Sequence, residues 1–574
     1  MAVISLLCCS LPAAGQDFER VRPKEPVNSS AGQEKPLPEP PVVDDSVDDA
    51  VLVGKLQGVV VLADPQKVRV EGFSAKDVNA SGVNAEAVPF LEQADGLVLF
   101  TSWLGKPVSM RMLNTLSRDL ILHYRSLGRP VVDVSVPAQD ITSGVVQIVV
   151  IEGRVGKVRA EGNRWFGEKL LVGGTRFIAG DPISSSLAAA ELEWLNHNPF
   201  RAVDLIYTPG AVVGETDLVL KVNDRLPVRV FTGVENTGID LIGRERMLYG
   251  VNYGNLWGLD HQVAYQFTSG FDVETLQAHS LTYSAPLPWR HTLRFFGAYT
   301  KSAADQVIGG IPVLLNGEGW QGGMRYNIPL PGTGAFRHDL ELGFDYKHST
   351  NDLEFGGIRA VGNATDIFQF AAAYRSSLRD KFGVTRLRAN VFFSPGNWNT
   401  LNGDQAFQAV RAGAESTYWL GQFEAERLTR LPGDFSLWLR GGYQWANGSL
   451  LPSEQWYIGG YSSVRGYAER AVGGDEGLVI NAELRSPALK PMRLLGSKVS
   501  GGDLQLLAFW DYGMSTSRSL LPLETDGTEL MSTGVGLRYT LGTHVSLRFD
   551  YGWQLRDNRD NESSRAHFGV ELSW

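Results

Sequence analysis

The residues of this chain that do covalent chemistry elsewhere are poorly spaced for it here. "GEGWQG" (Gly317, Gly319, Gly322) has the spacing of a dinucleotide-binding turn, but it leads into an alternating strand and opens no helix whose N-terminus would hold a phosphate. There is no H-E-x-x-H and no G-x-S-x-G, and the 9 histidines are scattered; His197 in "LNHNP" reads as a loop or helix-end residue rather than a ligand. No catalytic residue, cofactor or metal is expected, and the chain reads as a non-enzyme. What stands out instead is charge. One arginine, Arg465, sits among the glycines, serines and tyrosines of the stretch "GGYSSVRGYAER" (459–470), where Gly459, Gly460 and Gly466 permit tight turns. In "FWDYG" (509–513), alternation puts Phe509, Asp511 and Gly513 on one face and Trp510 and Tyr512 on the other. Lipid suits the Trp and Tyr, so Asp511 points the other way, and a partly desolvated carboxylate there requires a cation.

Both charges lie after Pro227, where the hydrophobic period is two and stays so to the end. In "RHDLELGFDYKH" (337–348), Leu340, Leu342, Phe344 and Tyr346 share one face, and Asp339, Glu341, Gly343, Asp345 and Lys347 fill the other. In "HVSLRFDYGW" (544–553), Val545, Leu547, Phe549, Tyr551 and Trp553 alternate with Ser546, Arg548, Asp550 and Gly552. A soluble sandwich alternates as well. Three features select a membrane barrel: apolar faces ending in Tyr and Trp, Arg and Asp in mid-strand on the polar faces, and short turns ("LPGD", "LGTH") alternating with long polar loops. About sixteen antiparallel strands are expected, starting near 228, 247, 260, 276, 291, 318, 337, 365, 382, 412, 434, 477, 504, 531, 544 and 565. An even count returns the last strand to the side where the first began, which must be the periplasm. The closing "RAHFGVELSW" sets Phe568, Val570, Leu572 and Trp574 on one face. The stretch of about 447–476 holds Arg465, has no strand period and falls between the eleventh and twelfth strands.

Before the barrel the texture is α/β. "KPVSMRMLNTLSRDLILHYRSLGRP" predicts a helix capped by Ser109, with Met112, Leu113, Leu116, Leu120 and Tyr124 on one stripe, stopping at Gly128. "VVDVSVP" and "VVQIVVIEG" then read as a hairpin across "AQDITSG". A second unit repeats the plan, giving α/β domains over 56–152 and 153–226. Residues 16–55 are Pro-rich and acidic, the composition of a linker that cannot bury enough apolar surface to order itself. "MAVISLLCCSLPAAGQ" marks 1–15 as a secretory signal peptide, although no Lys or Arg precedes its apolar run. Both cysteines, Cys8 and Cys9, lie within it, and Leu7 before Cys8 argues against lipid attachment. The net charge of −10 and the lack of any Lys/Arg block exclude nucleic acid as a partner. No apolar run is long enough to span a bilayer as a helix, which leaves a β-barrel open.

The two α/β units resemble POTRA domains, and the chain is similar as a whole to the outer-membrane transporters of two-partner secretion, the FhaC/ShlB-like haemolysin secretion/activation proteins. The residues that carry the resemblance are "GKPVS", "VPAQD", "IEGRVGKVRAEGN", "WLNHNPFRAVDLIYTPGAVVGETDL", "VENTGIDLIGRERMLYGVNYGNLWG", "VRGY" (Val464, Arg465, Gly466, Tyr467) and "FWDYG". The resemblance implies a sixteen-stranded outer-membrane barrel whose periplasmic POTRA pair captures an extended exoprotein client, which crosses the pore and folds outside. It further implies that the loop at about 447–476 folds back into the barrel as a lid, with Arg465 pairing Asp511 and the planar guanidinium gripping the carboxylate bidentately. Phe568 and Trp574 would mark the carboxyl terminus for insertion by the barrel-assembly machinery, with outer-membrane lipid around the wall. Relatives plug the pore with an N-terminal helix; Pro23, Pro26, Pro36, Pro38, Pro40 and Pro41 oppose a long one here, so the plug would be short or absent. The alternative on the same architecture is a BamA- or TamA-type assembly factor, which typically carries more POTRA units. A passive porin would need no periplasmic domains.

Overall fold

The computed structural model describes residues 18–26, 49–86, 88, 90–91, 94–308, 311–355, 358–491, 501–519, 527–556 and 562–574. The expected signal peptide and most of the Pro-rich segment lie outside these residues. The chain divides into two compact units, one within 28–226 and one in which the barrel from 227 to 574 takes in the described residues 18–26.

In the first unit, Met110–Ser126 is the predicted helix, with the Ser109 hydroxyl accepting the Met112 N–H at 3.3 Å. Its buried stripe of Met112, Leu113, Leu116, Leu120 and Tyr124 packs on Val59, Val61, Val146, Ile148 and Val150 of a four-stranded sheet. Gly58–Leu62 runs parallel to Val145–Glu152, which pairs antiparallel with Val132–Ser135; Val83–Glu86 adds an edge strand. The next sheet repeats the pattern: Arg154–Glu161 runs parallel to Glu215–Asp224, which pairs antiparallel with Arg201–Pro209. The helices Glu168–Gly173 and Ser185–Leu195 contribute Leu171, Leu192 and Leu195 to its core. Two successive segments thus build one topology twice, the first with an extra edge.

From Val228–Glu235 to Ser564–Ser573, sixteen strands close a barrel in which every neighbour is antiparallel. Burial is inverted relative to a soluble protein, and this separates a lipid-facing wall from a sandwich. On Phe336–Phe355 the apolar Leu342 is 45% exposed while Glu341 and Asp345 are 5% and 4%. On Val545–Gln554, Trp553 is 45% exposed and Asp550 is 0%. The charged side chains fill the interior, as a polar lumen requires.

Three strand starts differ from the sequence reading by five residues or more. Ile311–Leu330 and Ile358–Asp380 begin well before 318 and 365, and Thr417–Arg430 begins after 412. The first two are extended by Gly- and Asn-containing tips ("LLNGEG", "AVGNAT") that carry no alternation, and "AGAES" is held in the preceding loop, where Asp404 accepts the Ser416 N–H at 2.8 Å. The wall is uneven: the first strand has 8 residues and Ile358–Asp380 has 23. "GEGWQG" lies in mid-strand and forms no anion-binding turn. A further difference concerns residues 18–26, expected as linker. They belong to the barrel unit, as one helical turn, Phe18–Val21, followed by a stretch without helix or strand.

Candidate functional site

Ser436–Ala446 and Glu476–Arg485 are paired neighbours in the wall, and the chain between them, 447–475, turns back into the lumen. It does so as a short ribbon, Trp456–Ile458 paired antiparallel with Val472–Gly474, whose tip carries "GGYSSVRGYAER". Gly459, Gly460 and Gly466 take φ of 99°, 97° and 91°, a region that side chains disfavour. Val464 and Tyr467 are fully buried with Ile458, Val479 and Leu530, so the tip is anchored by its own apolar residues.

Arg465 and Asp511 meet. The arginine Nε donates to Asp511 Oδ2 at 2.8 Å and Nη2 to Oδ1 at 2.9 Å, a bidentate grip, while the Arg465 backbone N–H adds a third bond at 3.1 Å. The guanidinium lies 3.6 Å over the Phe509 ring, which alternation had placed on the same face. Trp510 and Tyr512 stack on the opposite, outer face. Arg465 is 3% exposed and Asp511 0%, so neither charge is left to water.

Two further carboxylates complete the site, and the sequence reading did not assign them. Arg465 Nη1 donates to Glu483 Oε1 at 2.7 Å and to Asp550 Oδ1 at 3.4 Å. Arg485 backs Glu483 at 2.6 Å and Arg538 backs Asp550 at 3.0 Å, so three carboxylates face three guanidinia. Asn481 ties loop to wall by donating to both Asp511 Oδ1 (2.8 Å) and Ser463 O (2.6 Å). The Gly466 N–H donates to His567 Nε2 at 3.0 Å, and Gln554 donates to Gly466 O at 2.9 Å.

A signal for Asp550 was present in the sequence. The tripeptide D-Y-G occurs at Asp511–Gly513 and again at Asp550–Gly552, and each aspartate contacts Arg465. Two residues on, each glycine makes room for the loop: a Cβ at Gly513 would lie 2.7 Å from Val464 Cγ2, and one at Gly552 would lie 2.7 Å from the Gly466 nitrogen. The repeated motif is a repeated function, carboxylate plus gap.

At the other end of the loop lies a second buried pair. Arg411, in the loop that follows Gly383–Pro395, holds Asp475 bidentately at 2.6 and 3.1 Å, and they are 5% and 0% exposed. Asp475 also accepts the N–H groups of Leu450 and Arg518, both at 2.9 Å. Across the lumen, Lys347 reaches Glu454 of the same loop at 2.9 Å. Phe568 and Trp574 face outward, 36% and 67% exposed, and the terminal residue joins the seam, its N–H donating to Val230 O at 2.9 Å.

A large part of this architecture is shared with known proteins. The family described as haemolysin secretion/activation protein ShlB/FhaC/HecB matches residues 214–539, more than half of the chain. The chain belongs to this family. A ShlB-type POTRA domain matches residues 78–153. The heme/hemopexin transporter protein HuxB of Haemophilus influenzae (strain 86-028NP) is 23% identical over 482 residues, covering 81% of each chain. The outer membrane transporter CdiB of Escherichia coli is 25% identical over 498 residues, covering 84% of this chain and 79% of the relative. The solved structure of CdiB from Escherichia coli superposes with a TM-score of 0.70 at 18% identity, over 94% of each chain. This family member is accordingly an outer-membrane transporter of the two-partner secretion type, with its POTRA domains in the periplasm.

Proposed function

We propose that the chain moves a large exoprotein from the periplasm to the cell surface, and that it opens by withdrawing the Arg465-bearing tip of residues 447–475 from the wall. The observation that carries this reading is the buried Arg465–Asp511 grip: one loop side chain, inserted among wall carboxylates, holds an obstruction inside a lumen. The outermost strands of the POTRA sheets, such as Val132–Ser135, suit capture of a client as an added strand, through main-chain hydrogen bonds that read little sequence. Folding of the client outside supplies the drive, since the outer membrane offers no ATP. A client mutant that cannot fold yet leaves at the normal rate would refute that part. The outward row ending in Phe568 and Trp574 serves as the signal read by the barrel-assembly machinery.

Arg465→Ala tests the gate. The expected result is a barrel that folds and reaches the membrane while the secreted client falls at least about tenfold, the consequence of losing one charged grip. Normal secretion by a folded Arg465→Ala protein would overturn the gating role.

A further inference from the structure

The lumen holds a second arrangement in which the loop and its carboxylates take no part. Residues 22–26 form no helix and pair with no strand; four side chains on four consecutive wall strands hold the main chain of residues 21–24 instead, and the Lys24 ammonium pairs with Glu235 at 3.1 Å. Asn252 Nδ2 donates to Lys24 O at 3.1 Å, and Arg229 Nη1 donates to the same oxygen at 3.4 Å. The Gln266 amide does both jobs, its Oε1 accepting the Lys24 N–H at 3.2 Å and its Nε2 donating to Val21 O at 3.4 Å. The Ser280 hydroxyl donates to Val21 O as well. Arg229 stands opposite Asn252 and Gln266 opposite Ser280 in the ladder, so the four form one row across the tilted strands.

Three properties make this row a site. Asn252, Gln266 and Ser280 are 3%, 2% and 2% exposed, so these are built, buried polar groups. The bonds end on main-chain N–H and C=O, which every amino acid presents, and they skip Pro23, whose missing donor therefore costs nothing. Small residues, Ala278 and Ala298, let a chain lie close to the wall, where Phe18 and Val21 now pack. The row also leads somewhere: Thr282, 6% exposed and with a hydroxyl lacking any partner among the described residues, lines a lumen cavity of about 370 Å³ together with Arg294, Gln321 and Gln422.

We propose that this row is a main-chain-reading track, which holds residues 21–24 at rest and takes an extended segment of the client, whatever its side chains, when one enters. A polypeptide in transit presents every side chain in turn, so the groups it always offers are amides. Three of the four groups, Asn252, Gln266 and Ser280, are uncharged, and their hydrogen bonds are weak enough to let one occupant replace another; the Arg229 charge is met by Glu571. The identity of the second occupant rests on the secretion reading; the track does not.

The test uses the full chain lacking only residues 18–26, in planar lipid bilayers, with barrel folding checked by heat-modifiable migration. The probes are a peptide of residues 17–26 and the same residues in scrambled order, added from the periplasmic side. Both are expected to block conductance at concentrations within about threefold of each other, and Asn252→Leu with Gln266→Leu in that background to raise both by about tenfold or more. Block by the native order alone, or block untouched by the double substitution, overturns the track. In the otherwise intact chain the double substitution is expected to slow client export. If peptides block but this variant exports normally, the track serves only the resting segment and the client half of the proposal falls. Failure of the unsubstituted chain to export any client would instead defeat the secretion reading and leave the peptide result standing.

Discussion

The two buried arginine–aspartate pairs of the lid loop look alike in distance and burial, yet they are built differently. At the tip, the loop supplies the cation and the wall supplies three carboxylates, two of which keep arginines of their own, Arg485 and Arg538. At the root, Asp475 is the loop's anion, Arg411 comes from another loop, and main-chain N–H groups of Leu450 and Arg518 close the shell. If the tip withdraws, Glu483 and Asp550 keep their arginines and only Asp511 loses its cation, retaining the Asn481 amide. If the root opens, a buried aspartate and a buried arginine both lose their counter-charge, a costly state. On the proposed gating, the tip is therefore the part that separates and the root the part that stays.

The largest effect is expected at the root. Asp475→Ala strands Arg411 and two N–H donors and should cost about 3–5 kcal/mol, read as a lower urea midpoint of the refolded barrel in micelles. An unchanged midpoint would erase the contrast. Next comes Arg465→Lys, which keeps the charge but loses the fork; export should fall about tenfold, with the urea midpoint near that of the parent. A midpoint that drops as far as that of Asp475→Ala would make tip and root the same kind of joint. Gly552→Ala leaves every charge in place and drives a methyl group against the Gly466 main chain, so single-channel conductance should rise. Gly513→Ala should raise it less, because its neighbour is the Val464 side chain, which can shift.

The barrel was legible because its chemistry is periodic: a wall with lipid on one side and water on the other writes alternation into every strand. It blurred where periodicity lapses, at the Gly- and Asn-containing strand tips near 311 and 358. Arg465 and Asp511 were legible because each sits in a short fixed setting, glycines around the first and aromatics around the second. Arg411 and Asp475 were not, because they lie 64 positions apart in irregular loops where no neighbour's spacing betrays them. Residues 18–26 were misread for a different reason. Composition asks whether a segment buries enough of its own apolar surface, and this one is ordered by polar and charged groups that belong to the wall: Asn252, Gln266, Ser280, Arg229 and Glu235.

The uneven wall has a consequence for what happens after transit. Strands of 20 and 23 residues, Phe336–Phe355 and Ile358–Asp380, run roughly 65–75 Å along their length at about 3.3 Å per residue. With a tilt of about 40° they rise roughly 50–55 Å, against an apolar band of about 25 Å. One side of the mouth stands above the membrane like a parapet while the opposite side ends near the bilayer. An emerging chain would meet a ready sheet surface on one flank and open solvent on the other, so its first folded turns would form against the outside of its own transporter.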